Sequence, residues 1–510
     1  MTLSRRSFLA AAAAAVSGKL LSCSSETRRL PEGPFQLGVA SGDPTPDGVV
    51  LWTRLAPRPL QPGGGMPPSG VNVTWTLAED EQLTRGVRSG IAPALPELAH
   101  SVHVEVAGLS PDRVYWYRFR AGDVESPLGR TRTMPAADAL PARLRFGVAS
   151  CNHLETGWFT AFRHMLQDDV DLVIHLGDYI YEGAGADKRP RKHQGKECMT
   201  LEDYRIRYGQ YKSDPDLQDL HAAVPWLVTP DDHEVDNNYA NAISEEKDVK
   251  PADFLKRRAG AYQAYYEHMP LRLLALPKGP DMLLYRRLAW GRLADLFVLD
   301  TRQYRTDQPC GDGNKPPCPE VMDPNATIMG PAQRDWLFDG LGRSGATWNV
   351  LAQQVMMARV DRDPGPGIAY SMDQWPGYEV ERRRVLKFLH ERKIANPVVL
   401  AGDIHTNWAN DLIADFDDLG SRTVATEFVG TSISSGGDGL AVPKDLPKIL
   451  SDNPFVRFHN AERGYLTCEV TPKLWRTDYR TLPFVVKPGA PVNTRASFVV
   501  ESGQAGAKRV

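Results

Sequence analysis

From Phe35 to Pro135, hydrophobic and polar residues alternate in short runs. The stretches "DGVVLWTRL", "VNVTWTLAED", "HSVHVEVAGL" and "DRVYWYRFRAG" carry β-branched or aromatic residues at alternate positions, with Gly, Pro and Asp between them. A period of two broken by turn residues predicts strands, and a run of this length predicts an all-β sandwich over 35–135. The aromatic stretch holding Trp116 and Tyr117 is expected to pack, not to react. The pattern changes after "TRTMPAADALPARLRF", where prolines and small residues interrupt it. Over 144–485, apolar runs end repeatedly in polar residues: "LRFGVASCNH", "DLVIHLGDYIYEG", "PWLVTPDDHEVDNN", "LADLFVLDTRQYR" and "NPVVLAGDIHTNWA". Helical periods such as "ADFLKRRAGAYQAYYEH" lie between them. Buried strands alternating with helices predict an α/β domain of layered sheets with helices outside. Residues 486–510, polar at their end, are expected to be a tail.

A chain of 510 residues accommodates this two-part plan, because single cores stop growing near about 250–300 residues. The formal net charge of −3 gives no electrostatic case for nucleic acid or an anionic membrane as partner. The amino terminus adds a destination. "SRRSFLAAAAAAVSG" sets two arginines before a short apolar stretch, the layout of a twin-arginine export signal over 1–30, with the export machinery as a partner. Phe8 to Val16 is far shorter than the roughly 20 residues that span a bilayer. "LLSC" resembles a lipobox in which Cys23 would be lipidated, although Leu21 is not the small residue usual before Ser22. A lipid-anchored product and a soluble periplasmic one both stand, ahead of a cytoplasmic protein with an Ala-rich helix. Membrane contact is expected only through Cys23.

Export makes disulfides relevant. Cys310 and Cys318 flank the turn-rich "GDGNKPP" and are expected to close on each other. With Cys151 reserved for chemistry, Cys198 and Cys468 stand as a candidate second pair, one of three connectivities that four cysteines allow.

Open α/β sheets place chemistry beyond the carboxyl ends of their strands. Four such ends supply Cys151; Asp178 with Tyr181; Asp231, Asp232, His233 and Glu234; and Asp403 with His405. Singly, each has an ordinary explanation, since Asp caps helices and turns and buried Cys packs as a small hydrophobe. Capping does not require Cys, Tyr, Asp and His to converge, whereas a metal centre does. Thiolate, phenolate and carboxylate donors favour a highly charged cation such as ferric iron, and further carboxylates suit hard divalent ions. No close Cys/His spacing supports tetrahedral structural zinc.

The order "GD" with an aromatic turn, then "DDHE", then "GDIH" resembles the metallophosphoesterase plan of GDxx[DY], GNH[DE] and GHxH. There are departures: Cys151 in "ASCNH" stands where that plan has an Asp-x-His pair, "DDHE" replaces GNHE, and "GDIH" replaces GHxH. With "FQLGVASGDPTPDGVVLWTRLAP" near the amino terminus, these departures closely resemble the PhoD-like alkaline phosphatases, over about Phe35 to Thr477. The resemblance implies an immunoglobulin- or fibronectin-like domain ahead of a layered metallophosphoesterase β-sandwich flanked by helices. It also implies a secreted phosphatase acting on phosphate monoesters, diesters or both, by direct attack of a metal-bound oxygen. Carried over residue by residue, it makes Cys151, Asp178, Tyr181 and Asp403 ligands of Fe3+, with Asp178 bridging to Ca2+ (two ions). Asp232 would bind calcium, helped by Asn237 or Asn238. His233 and His405 would face the phosphate as ligand, hydrogen-bond donor or proton donor. Arg257 or Arg258 would contact phosphate, against the alternative of a helix-surface role.

Two other readings compete. One is a phospholipase D-type or teichoic-acid phosphodiesterase on the same scaffold, with selectivity set by the loops Gly183–Thr200 and Cys310–Met329. The other is a noncatalytic surface-binding protein, which would leave the intact polar strand ends unexplained. A dinucleotide-dependent oxidoreductase ranks below both, since no strand is followed by G-x-G-x-x-G; "SSGGDG" lies late and lacks the pattern.

Overall fold

The computed structural model describes residues 32–363 and 365–510; the proposed export signal and Cys23 lie outside them. Two sheets pack face to face. The larger has ten strands, with a parallel centre formed by Leu144–Ala149, Leu172–His175, Pro225–Val228 and Val39–Thr45. The second has seven strands, and its parallel centre is Ala294–Val298, Trp348–Ala352, Pro397–Ala401 and Thr423–Val429. These central strands are almost wholly buried, so they read as continuous apolar runs instead of alternating ones.

Phe146, Val148, Ile174 and Leu227 of the first sheet meet Leu296, Val350, Val398 and Leu400 of the second in one apolar layer. The outer face of the ten-stranded sheet is covered by Thr160–Gln167, Leu201–Lys212, Pro215–Ala223 and Pro251–His268. Gly330–Arg343 and Glu379–Glu391 cover the other sheet. Helices lie on both outsides of a two-sheet core, the layered architecture that the alternating pattern predicts.

The amino-terminal strands divide between two sheets. Val71–Ala78, Arg88–Ala94 and Val114–Ala121 form a separate antiparallel sheet. Val39–Thr45, Gly48–Arg54 and Ser101–Ala107 instead extend the ten-stranded sheet, with Ser41 beside Pro225 and Gly42 beside Trp226. Alternation along the sequence marks these segments as strands but does not say which sheet they join. In the separate sheet Tyr117 is buried, and the hydroxyl of Tyr115 accepts a bond from the Ser110 amide at 2.9 Å. That bond is the tyrosine-corner geometry, and the residue making it is Tyr115.

Two expectations are corrected. The segment 486–510 is not a free tail: Asn493–Glu501 pairs with Leu474–Leu482, and Ala496, Phe498 and Val500 are buried in the inter-sheet core. Its apolar period of two was masked by the polar residues that follow. Cys310 and Cys318 are bridged, but Cys198 and Cys468 are both free. They lie in different cores, Cys198 under the helices and Cys468 between the sheets, where its thiol meets Thr477 Oγ1 at 3.6 Å.

Candidate metal centre

Three parallel strands of one sheet and one of the other end around a common crevice. Beyond Ala149, His175, Val228 and Ala401 the chain turns sharply and presents Cys151, Asp178, Asp231 with Asp232, and Asp403 with His405. Cys151, Asp178, Asp403 and His405 have φ of 60°, 55°, 65° and 54°, a left-handed conformation costing side-chain-bearing residues about 1–3 kcal/mol each. Such outliers persist where surrounding structure enforces them, and here they coincide with the donor residues. Two glycines make room. A Cβ on Gly177, at φ 109°, would lie 2.5 Å from the Asp231 amide nitrogen, and one on Gly402 would lie 2.4 Å from Ser150 Oγ. Glu234 ties two turns together by accepting the amides of Asp178, Tyr179 and Asp231 at 3.1, 2.6 and 2.8 Å.

The donors gather into three overlapping groups, each with its ligand atoms within 4.8 Å of one another: Cys151, Asp178 and His405; Asp178, Asp232 and His233; and Asp231, Asp232 and Asp403. Asp178 belongs to the first two and Asp232 to the last two. Asp403, expected beside Cys151, has its side chain with Asp231 and Asp232, and His405 takes the place in the Cys151 group. The Tyr181 hydroxyl donates to Asp178 Oδ2 at 2.9 Å, lies 3.1 Å from His405 Nε2 and accepts from Ser435 Oγ at 2.6 Å. Its ring is held between those of His153 and His233, at 4.2 and 4.1 Å. Tyr179 turns the other way, toward His221 at 2.8 Å, and packs under the helices.

Electrostatics separates the two histidines. Burial opposes charge on His233, but Glu182, 2.8 Å from Nδ1, together with Asp232 and Asp178, holds its pKa well above the ordinary value. Burial, Arg463 and His233 push His405 down to about 3, so it is neutral. Burial, followed by Asp232, raises Asp178 far above the carboxylate range, and burial with Asp373 raises Asp403 to about 7. Burial likewise raises the Cys151 thiol and the Tyr181 phenol.

These groups fit a cation. Asp178 Oδ1 and Asp231 Oδ2 are buried with no hydrogen-bond partner among the described residues, an arrangement that native proteins seldom leave uncompensated. A thiol, a phenol, an imidazole and a shared carboxylate suit a highly charged ion in the Cys151 group. Carboxylates dominate next to it and suit a hard divalent ion.

Not every expected residue arrives. Arg258 does not reach the crevice: its guanidinium donates to Pro280 O at 2.9 Å, Asn241 O at 2.6 Å and Asp281 at 3.2 Å, pinning a loop to its helix. Arg257 is engaged by Tyr204, Asp236 and Glu197. Asn237 turns its amide to Glu245 at 2.6 Å, while Asn238 donates its backbone N–H to Asp232 Oδ2 at 2.7 Å and its side chain to Asp312. Sequence reasoning missed Arg302, whose position just past the apolar "LFVLD" was the available signal. It also missed Ser435, in the glycine-rich "SSGGDG", and Asp373, for which no pattern existed.

The family described as PhoD-like phosphatase matches residues 146–479, and its N-terminal domain matches residues 22–135. Alkaline phosphatase D of Bacillus subtilis (strain 168) is 52% identical over 482 residues, covering 94% of this chain and 82% of that protein. The solved structure of PhoD superposes with a TM-score of 0.91 at 52% identity, covering 94% of this chain and 92% of that one. Purple acid phosphatase PPD1 from yellow lupin seeds shares the fold, with a TM-score of 0.57 at 12% identity and coverage of 91% and 73%. The matches are to phosphatases, and they favour neither the phospholipase D-type or teichoic-acid phosphodiesterase nor the binding-protein alternative.

Proposed function

This chain belongs to the PhoD-like phosphatase family, and we propose from that premise that it is an exported, metal-dependent hydrolase of phosphate monoesters, diesters or both. The observation that carries the metal dependence is the shared carboxylate: Asp178 stands in two donor groups at once and keeps one buried oxygen unpartnered among the described residues. Cys151, Asp178, Tyr181 and His405 would hold ferric iron, and Asp178 and Asp232 would hold calcium. Bound there, the ions supply Lewis-acid polarisation of phosphoryl oxygens and acidification of water.

The protein's own groups do the rest. His233 keeps Nδ1 on Glu182, so Nε2 is the nitrogen free to face the ester and to hand a proton to the leaving alkoxide. Asn238 fixes Asp232 through its backbone. Beside Asn238 opens a cavity of about 690 Å3, lined by residues including Ile243, Glu245, Asp307, Asp312 and Lys315, with room for the alcohol portion of the substrate.

No described helix is long and apolar enough to cross a membrane, and we assign export to the paired arginines Arg5 and Arg6, with Cys23 as the candidate lipid anchor. The decisive experiment combines elemental analysis with turnover of p-nitrophenyl phosphate and bis-p-nitrophenyl phosphate, with and without a calcium chelator. Bound iron and calcium with chelator-sensitive turnover are expected; a metal-free protein of full activity would sink the proposal.

A further inference from the structure

Asp231, Asp232 and Asp403 all face one buried guanidinium. Arg302 is fully buried. Its Nε donates to Asp231 Oδ1 at 2.5 Å, and its two terminal nitrogens clamp Asp373 at 2.7 and 2.9 Å. Nη2 then stands 3.8 Å from both Asp232 Oδ2 and Asp403 Oδ1, too far for a hydrogen bond but in direct Coulombic contact with each. The guanidinium cannot swing away, because Asp373 is itself held by Arg305 at 2.6 Å and Gln308 at 2.7 Å.

We propose that Arg302 is a built-in cation of the third carboxylate group, occupying by side chain the place a metal would otherwise take among Asp231, Asp232 and Asp403. A guanidinium always carries its charge and has a fixed planar fork. It therefore neutralises and orients these carboxylates before any ion is loaded, and directs loading to the groups built on Asp178. Arg302 is in this sense a positioning residue and touches no substrate.

The inference rests on reading Asp232 and Asp403 as groups that can bind cations. Its test is metal counting by elemental analysis and calcium titration calorimetry on the full chain, for wild type, Arg302→Met and Arg302→Lys. With its cation removed, Arg302→Met is expected to bind one more divalent ion per chain than wild type and to show a larger calcium-induced rise in Tm. Arg302→Lys keeps the charge and is expected to keep the wild-type count. If Arg302→Met is recovered folded only in the presence of calcium, that too supports the proposal. An equal or lower count in Arg302→Met, failure to fold even with calcium, or an extra ion in Arg302→Lys would overturn it. A wild type that binds no metal at all would instead remove the metal reading of the whole centre.

Discussion

At the scale of single residues, the site depends on groups that no motif announces. Ser435 Oγ lies 2.6 Å from the Tyr181 oxygen and 2.7 Å from Cys151 O, so one hydroxyl joins a proposed iron ligand to the backbone that carries another. Loss of such an outer partner generally costs 10–100-fold in metal affinity or activity. Ser435→Ala is therefore expected to lower iron content or turnover by about that range and to shift any visible charge-transfer band; unchanged iron, turnover and spectrum would remove the role. Cys151→Ser and Tyr181→Phe should lose iron and colour more completely, read by the same assays. Lys212 offers a test independent of metal. It is buried with its ammonium over the rings of Trp52 and Tyr179, at 4.2 and 5.5 Å, and burial lowers its pKa to about 7. The unfolded chain therefore holds more protons than the folded one between pH 7 and the ordinary lysine value. Stability should rise with pH across that window and show no pH dependence from this group below it. Urea denaturation from pH 7 to 10 should show that slope in wild type and a flatter one in Lys212→Met.

At the scale of elements, the loop closed by Cys310 and Cys318 reaches the centre through a short relay. Asp312 accepts from Asn238 Nδ2 at 2.7 Å, and the Asn238 N–H is bonded to Asp232. Cys310, Gly311, Asp312 and Gly313 all have positive φ, from 58° to 75°, so the loop needs outside constraint to hold this shape. The bridge supplies it over a sequence separation of eight. A closed loop of that size corresponds to about 2–3 kcal/mol of chain entropy. Cys310→Ser with Cys318→Ser is expected to lower stability by about that amount and to weaken the proposed calcium binding at Asp232; calorimetry with calcium separates the two effects. The bridge itself was legible, because turn residues between near cysteines bring them together. The donor-bearing strand ends were legible for a related reason: an apolar run that stops at Cys or Asp is visible in one dimension. Asp312 was not, since its partner Asn238 lies 74 residues away. Arg258 misled because its helix buries the guanidinium against Pro280 and Asn241, and helical period alone does not say which charged side chains a loop will cover.

At the scale of the whole molecule, local pattern gave the layers but not their seams. Strand and helix periods follow from the side chains of each segment, whereas the choice of neighbour is made by burial on both faces, which only the assembled sheet reveals. The amino-terminal segment shows the consequence. Val39–Thr45 lies parallel to Pro225–Val228, the strand that leads into Asp231 and Asp232. Trp52 is buried and donates to Glu267 O at 3.0 Å, and Arg286 is bound to Asp43 at 2.8 Å. Removing residues 1–135 would leave Pro225–Val228 as a bare apolar edge beside a helix stripped of its packing partner, and exposed edges of that kind aggregate. The fragment 144–510 is therefore expected to be insoluble or to lack a cooperative melting transition, although it carries every proposed metal ligand. The full chain, sharing one sheet across both segments, is expected to unfold with the amino-terminal strands and the centre melting together. Calorimetry and metal-release monitoring on the full chain check the second expectation, and expression of the fragment checks the first. A soluble, metal-loaded and active 144–510 would show that the shared sheet is dispensable to the site it borders.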